Sequence, residues 1–107
     1  MRSHESIDQR SLALDRLIAD KVEARPELLQ HAVRTLERWI AQRQPNPSAV
    51  FLEWQKTLRE RSLTDVLNLL RSDSEEARRL RQSSPFCGIL SPDERLAIFR
   101  EYETERT

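Results

Sequence analysis

Residues 26–42 read PELLQHAVRTLERWIAQ. Within them Leu29, Val33, Leu36 and Ile40 recur at helical spacing and form one stripe, which Leu28, Ala32 and Trp39 widen into a broad apolar face. Pro26 stands where a helix tolerates proline best, at the first position, because its missing N–H would have had no partner there. The stripe also has heptad spacing, but two further turns would be needed before it read as a coiled coil. The rest of the chain carries a single glycine, Gly88. Hairpins, phosphate loops and sharp strand turns use glycine where φ is positive, so an all-β or nucleotide-binding α/β architecture is hard to build from this composition. What remains is an all-α fold, with helices joined by Pro, Ser and Asn.

Working outward, Ile7, Leu14, Leu17, Ile18 and Val22 gather on one side of a helix expected over about Ile7 to Ala24, ended by Pro26. Residues 1–6 precede that stripe and are a candidate disordered end. On the other side, Gln44-Pro45-Asn46-Pro47 interrupts the helical pattern, since each proline disfavours helix for the residue before it. Ser48 is placed to cap a third helix to about Glu60, with Val50, Phe51, Trp54 and Leu58 on one face. Ser62 opens a fourth with Leu63, Val66, Leu67 and Leu70 inward. Residues 74–82 read as a fifth, polar apart from Ala77 and Leu80. Ser91-Pro92-Asp93-Glu94 is a strong start signal, Ser91 capping and Glu94 closing a capping box, for a last helix to about Glu103 that presents Leu96, Phe99 and either Ile98 or Tyr102. The expectation is one helical domain over 1–107, a compact bundle of five or six short helices with an irregular segment near residues 83–91.

Composition narrows the functional classes. The chain has 107 residues, 37% hydrophobic and 34% charged, with mean hydropathy −0.72, a balance suited to thin helices that each show a wide face to water. Such a domain gains from a partner, whether a second copy or another protein. Basic and acidic residues balance at 18 each, so no long-range field draws the molecule to nucleic acid or to an acidic membrane. All but Lys21 and Lys56 of the basic residues are Arg, which fits guanidinium pairing at interfaces and equally a GC-rich genome. The lone Cys87 excludes an internal disulfide, no basic start followed by an apolar stretch marks an export signal, and no run approaches a membrane span, so a cytoplasmic protein is expected.

The residue types of reaction centres are sparse. His4, His31 and Cys87 lie far apart with no paired spacing, so no metal site and no cofactor are expected, and His31 reads as a solvated imidazole on the polar edge of its helix. Cys87-Gly88 invites comparison with a nucleophile beside an oxyanion turn, but a buried small thiol next to a turn glycine is the plainer reading. Glu75-Glu76 and Glu101, Glu103 and Glu105 read as wet faces or first turns that welcome negative charge. No catalytic residue is assigned, and an enzyme is not expected. Arg71, Arg78, Arg79 and Arg81 form the densest basic group. A nucleic-acid patch is one reading; ion pairing along the helix through Glu75, four residues after Arg71 and three before Arg78, is the other. Trp39 and Trp54 sit on apolar stripes and are read as core.

The segment Ser83-Ser84-Pro85-Phe86-Cys87-Gly88-Ile89-Leu90 is the least ordinary. It has neither helical nor strand period, and Phe86, Ile89 and Leu90 either tuck under the helices or plug a groove on a partner. With the residues around it, the run Arg78-Arg79-Leu80-Arg81-Gln82-Ser83-Ser84-Pro85-Phe86-Cys87-Gly88-Ile89-Leu90-Ser91-Pro92-Asp93-Glu94-Arg95, preceded by Glu37-Arg38-Trp39 and Glu53-Trp54, resembles a group of small bacterial helical proteins that act as antitoxin components of toxin–antitoxin modules. Their shared signature is R-Q-S-S-P-F-x-G-I-L-[ST]-P-x-E-R, and the similarity covers most of the chain after about Leu12. The resemblance implies an inhibitor that binds a co-encoded toxin, a nucleotidyltransferase-like enzyme being the implied kind, and blocks its active site or assembly. It marks Arg81, Pro85, Phe86, Gly88, Ile89 and Leu90 as toxin contacts and residues 83–107 as the partner-binding part. The alternatives are a DNA-binding regulator, for which no helix-turn-helix or ribbon module is evident, and a homodimeric interaction module.

Overall fold

The computed structural model describes the backbone of residues 3–104 and the side chains of residues 8–102. Six α-helices fill those residues, and no strand occurs among them: α1 (Ser3–Ala24), α2 (Leu29–Gln42), α3 (Ala49–Glu60), α4 (Leu63–Arg71), α5 (Glu75–Arg81) and α6 (Pro92–Thr104). The all-α architecture and the irregular segment after α5 are as the sequence indicates. Two boundaries differ. α1 opens at Ser3, four residues before the expected start, because the apolar stripe marks where a helix has something to bury and not where its backbone begins. Residues 3–6 of the candidate disordered end are therefore helical, while residues 1–2 lie outside the described residues. Pro26 opens a 3-10 turn, Pro26–Leu28, from which α2 continues.

The ends of the short helices are closed by their own serines. The Ser62 hydroxyl accepts the Asp65 N–H and the Ser74 hydroxyl accepts the Ala77 N–H, satisfying donors that a helix start otherwise leaves open. At α6 the capping box is complete, with the Glu94 N–H donating to Ser91 Oγ at 3.1 Å and the Ser91 N–H donating to Glu94 Oε1 at 2.8 Å. Ser48 occupies the cap position of α3, but its side chain accepts no such bond; only its carbonyl joins the helix.

α1 is the long central element, packed against α4, α5 and α6, while α2 and α3 pack on each other as a hairpin joined through residues 43–48. Ile18, Ala19 and Val22 of α1 meet Leu36 and Ile40 of α2, Trp54 of α3, Val66, Leu67 and Leu70 of α4, and Leu80 of α5 in one core. At its centre the Trp54 indole packs edge to face on the Phe86 ring, centroids 5.8 Å apart, and its N–H donates to the Leu80 carbonyl at 2.9 Å. That bond supplies a donor to the last turn of α5, whose carbonyls have no partner in their own helix. Trp54 is core as expected. Trp39 is only half buried, its ring tilted against Phe51 at 5.3 Å.

Candidate functional site: the strap over the first helix

The irregular segment is a strap laid across α1. Its turns are local: the Ser83 N–H donates to the Leu80 carbonyl, the Phe86 N–H to Ser84 Oγ and the Ile89 N–H to the Phe86 carbonyl. Both ends are pinned to α1 by charged side chains. At the first, Arg81 Nε donates to Asp15 Oδ2 at 3.1 Å and Arg81 Nη2 donates to the Ser72 carbonyl at 2.7 Å, so one guanidinium joins α1, the end of α4 and the start of the strap. At the second, Lys21 Nζ donates to the Ile89 carbonyl at 2.9 Å and to Glu94 Oε1 at 2.8 Å, which ties α1 to the end of the strap and to the capping box of α6.

Asp15 and Arg81 are 8% and 7% exposed, a buried ion pair. Burial disfavours the ionised carboxyl and pushes Asp15 from 3.8 up to about 6, against the pull of the Arg81 charge and its hydrogen bond. Glu94 moves the other way, held below the usual carboxylate range by the hydrogen bond from Lys21 and by the Ser91 N–H.

At the first pin lies a cavity of about 140 Å³, lined by Ser11, Leu14, Asp15 and Ile18 of α1 and by Arg81, Ser84, Cys87, Leu90 and Arg95. The lining combines the aliphatic Leu14, Ile18 and Leu90 with the Asp15–Arg81 pair, the Ser11 and Ser84 side chains and Arg95. Arg95 Nη1 donates to the Cys87 carbonyl at 3.2 Å, and among the described residues no carboxylate pairs with it.

The candidate contacts separate into two sets. Pro85, Phe86, Ile89 and Leu90 are buried, Phe86 completely, so of the two readings of the apolar strap residues the chain adopts the one in which they tuck under its own helices. Arg81 is spent on Asp15. Gly88 stays exposed, and Cys87, expected as a buried thiol, is exposed as well. Gly88 has no positive φ; the end of the His31 side chain reaches so close to it that a Cβ would stand 2.6 Å from His31 Nε2. The His31 ring is exposed, as expected, and flanks the strap.

The basic group pairs with carboxylates, but not through Glu75. Arg71 reaches Asp20 and Glu23 of α1 at 2.8 and 2.9 Å, Arg78 pairs with Asp73, and Arg79 makes a two-pronged contact with Glu53 of α3, both prongs 2.7 Å. The acids that pair come from α1, from α3 and from the linker before α5, not from the first turn of α5. A nucleic-acid backbone would have to displace these carboxylates to use the same guanidinium groups. Among the described residues no group of His, Cys, Asp and Glu is arranged to hold a metal ion, and no helix is long and apolar enough to cross a membrane.

Sequence reasoning passed over Asp15, Lys21 and Arg95. For Asp15 a signal existed: Leu12, Asp15, Ile18 and Val22 are in helical register, so a carboxylate stood in line with the buried stripe of α1. Lys21 and Arg95 look like ordinary surface cations until the strap is folded over them.

The site is therefore a preformed surface built on an internal ion pair. No family model, no curated protein and no solved structure matches the chain.

Proposed function

We propose that this chain is a non-catalytic inhibitor of the antitoxin kind, which binds a co-encoded toxin enzyme, nucleotidyltransferase-like in type, through the outer face of the strap and blocks it sterically. The observation that carries the reading is that the signature run resembling such antitoxins is the same run that forms the strap and the rim of its cavity: Arg81, Ser84, Cys87, Leu90 and Arg95 all line it. The buried members of that run set the shape, and the exposed members make the contact. Arg95, without a carboxylate of its own among the described residues, pairs with an acidic group on the toxin, while an aliphatic toxin side chain enters the cavity beside Leu14, Ile18 and Leu90. A surface already held at both ends loses little conformational freedom on association. The test is co-expression with the product of the adjoining reading frame. The chain is expected to relieve growth arrest caused by that product and to co-purify with it; arrest that persists, with no complex formed, contradicts the proposal.

A further inference from the structure

We propose that the cavity beside the Arg81 pin is a binding site for a small aliphatic monocarboxylate. Its lining divides by chemistry. Leu14 and Ile18 of α1 and Leu90 of the strap supply aliphatic surface, while Arg81 and Arg95 set two guanidinium groups against the single carboxylate of Asp15. Asp15 and Arg81 hold each other at 3.1 Å, so the charge left over in the lining is the one positive charge of Arg95. A concave site with one spare cation and aliphatic surface matches a ligand with one negative charge on a short hydrocarbon chain.

The bonding of Arg95 selects the kind of anion. Its Nη1 donates to the Cys87 carbonyl at 3.2 Å, while Nε and Nη2, the other edge of the guanidinium fork, make no bond among the described residues. That edge is the one with which Arg78 grips both oxygens of Asp73, Nε to Oδ1 at 3.0 Å and Nη2 to Oδ2 at 3.1 Å. A ligand carboxylate fits the same edge of Arg95 in the same two-pronged way. Volume limits the rest of the ligand. The cavity of about 140 Å³ is close to the roughly 150 Å³ that admits a benzene molecule, so a free acid of about six or seven non-hydrogen atoms fills it. An acid seated here competes with the toxin side chain assigned to the same cavity, but its binding needs no toxin and is measured on this chain alone.

Titration of isovalerate into the full, isotope-labelled chain, followed by NMR, tests this. The expected result is saturable shifts of the Ser84, Cys87, Leu90 and Arg95 amide signals, with a dissociation constant of about 1 mM or tighter. Acetate keeps the carboxylate and lacks the chain, and isovaleramide keeps the chain and lacks the charge; each should bind about tenfold more weakly or worse. Arg95→Gln should weaken isovalerate binding by about tenfold or more, and Ser11→Leu, which fills the cavity from α1, should abolish it. Ser11 and Arg95 are both half-buried, and unfolding curves establish that each variant folds. Should either fail to fold, the three ligands on the wild type decide. Absence of saturable shifts, shifts away from the cavity, or acetate or isovaleramide binding as tightly as isovalerate overturns the proposal, as does undiminished binding by either folded variant.

Discussion

The strap and the α2–α3 hairpin invert the usual relation between regular backbone and buried surface. The strap has no helical period, yet Phe86 is fully buried and Arg81 and Lys21 pin its ends to neighbouring helices. The hairpin is regular and strongly amphipathic, yet its outer flank keeps half-buried Val33 and Leu58, open Leu52, and charges, Glu37 and Arg59, with no ion pair among the described residues. Irregular backbone stays in place when side chains and charged groups supply the bonds that a helix would make for itself. A regular helix, by contrast, can carry more apolar surface than its own chain covers. Function is sought accordingly on what the buried residues of the strap leave over, the rim of its cavity.

The largest expected effect breaks this contrast outright. Phe86→Ala should cost about 3–5 kcal/mol, a substantial share of a small domain's stability, whereas Leu52→Ala should stay within about 0.5 kcal/mol. Chemical denaturation of the two variants measures the difference. Were Phe86→Ala as mild as Leu52→Ala, the strap would be a loose appendage and its apolar residues would be free for a partner.

The buried pin comes next. Arg81→Met strands the Asp15 carboxylate in the interior and should cost about 3–5 kcal/mol at neutral pH. The loss should shrink in acid, where Asp15 takes up a proton and no longer needs a cation. In the wild type the sign follows from the folded value of about 6 lying above the unfolded 3.8. The folded chain holds the extra proton, so this group's contribution is fully present below about pH 4 and is lost as pH rises through about 6, by about 3 kcal/mol in all. Asp15→Asn keeps an acceptor for Arg81 and should flatten that part of the stability curve, read by urea titrations across the interval.

The second pin is weaker. Lys21→Met removes the bonds to Ile89 and Glu94, and Ser91→Ala opens the capping box; each should cost about 1 kcal/mol by thermal or chemical unfolding. The smallest effect is expected at Gly88. The atom that a new Cβ would meet belongs to the end of the exposed His31 side chain, which can turn away, so Gly88→Ala should cost under about 1 kcal/mol and His31→Ala with Gly88→Ala should cost no more.

Much of this architecture was legible from the chain alone. The stripes of α2, α3 and α4, the stop at Pro45 and Pro47 and the capping box at Ser91 are local signals, and local signals survive folding. The site was less legible because its parts are distant in sequence. Arg81 meets Asp15 across 66 positions and Lys21 meets Ile89 across 68, and no periodicity reports such a pair. Sequence marked the strap as unusual without deciding which way Phe86 faced, since an apolar residue in irregular backbone serves a core and an interface equally well. It also offered Glu75 as the acid for Arg71 and Arg78, where acids on neighbouring segments and on α1 stand closer.

The most direct measurement of the proposed inhibition compares binding of the adjoining reading frame's product by Arg95→Glu with that by wild type, after confirming equal unfolding stability. Arg95 is half exposed, and its replacement removes one exposed bond to the strap, from Nη1 to the Cys87 carbonyl, while the Arg81 and Lys21 pins remain. If the outer face of the strap makes the contact, affinity falls by about tenfold or more, the loss expected on reversing a charge at an interface. Affinity equal to wild type, with the fold intact, would contradict that assignment.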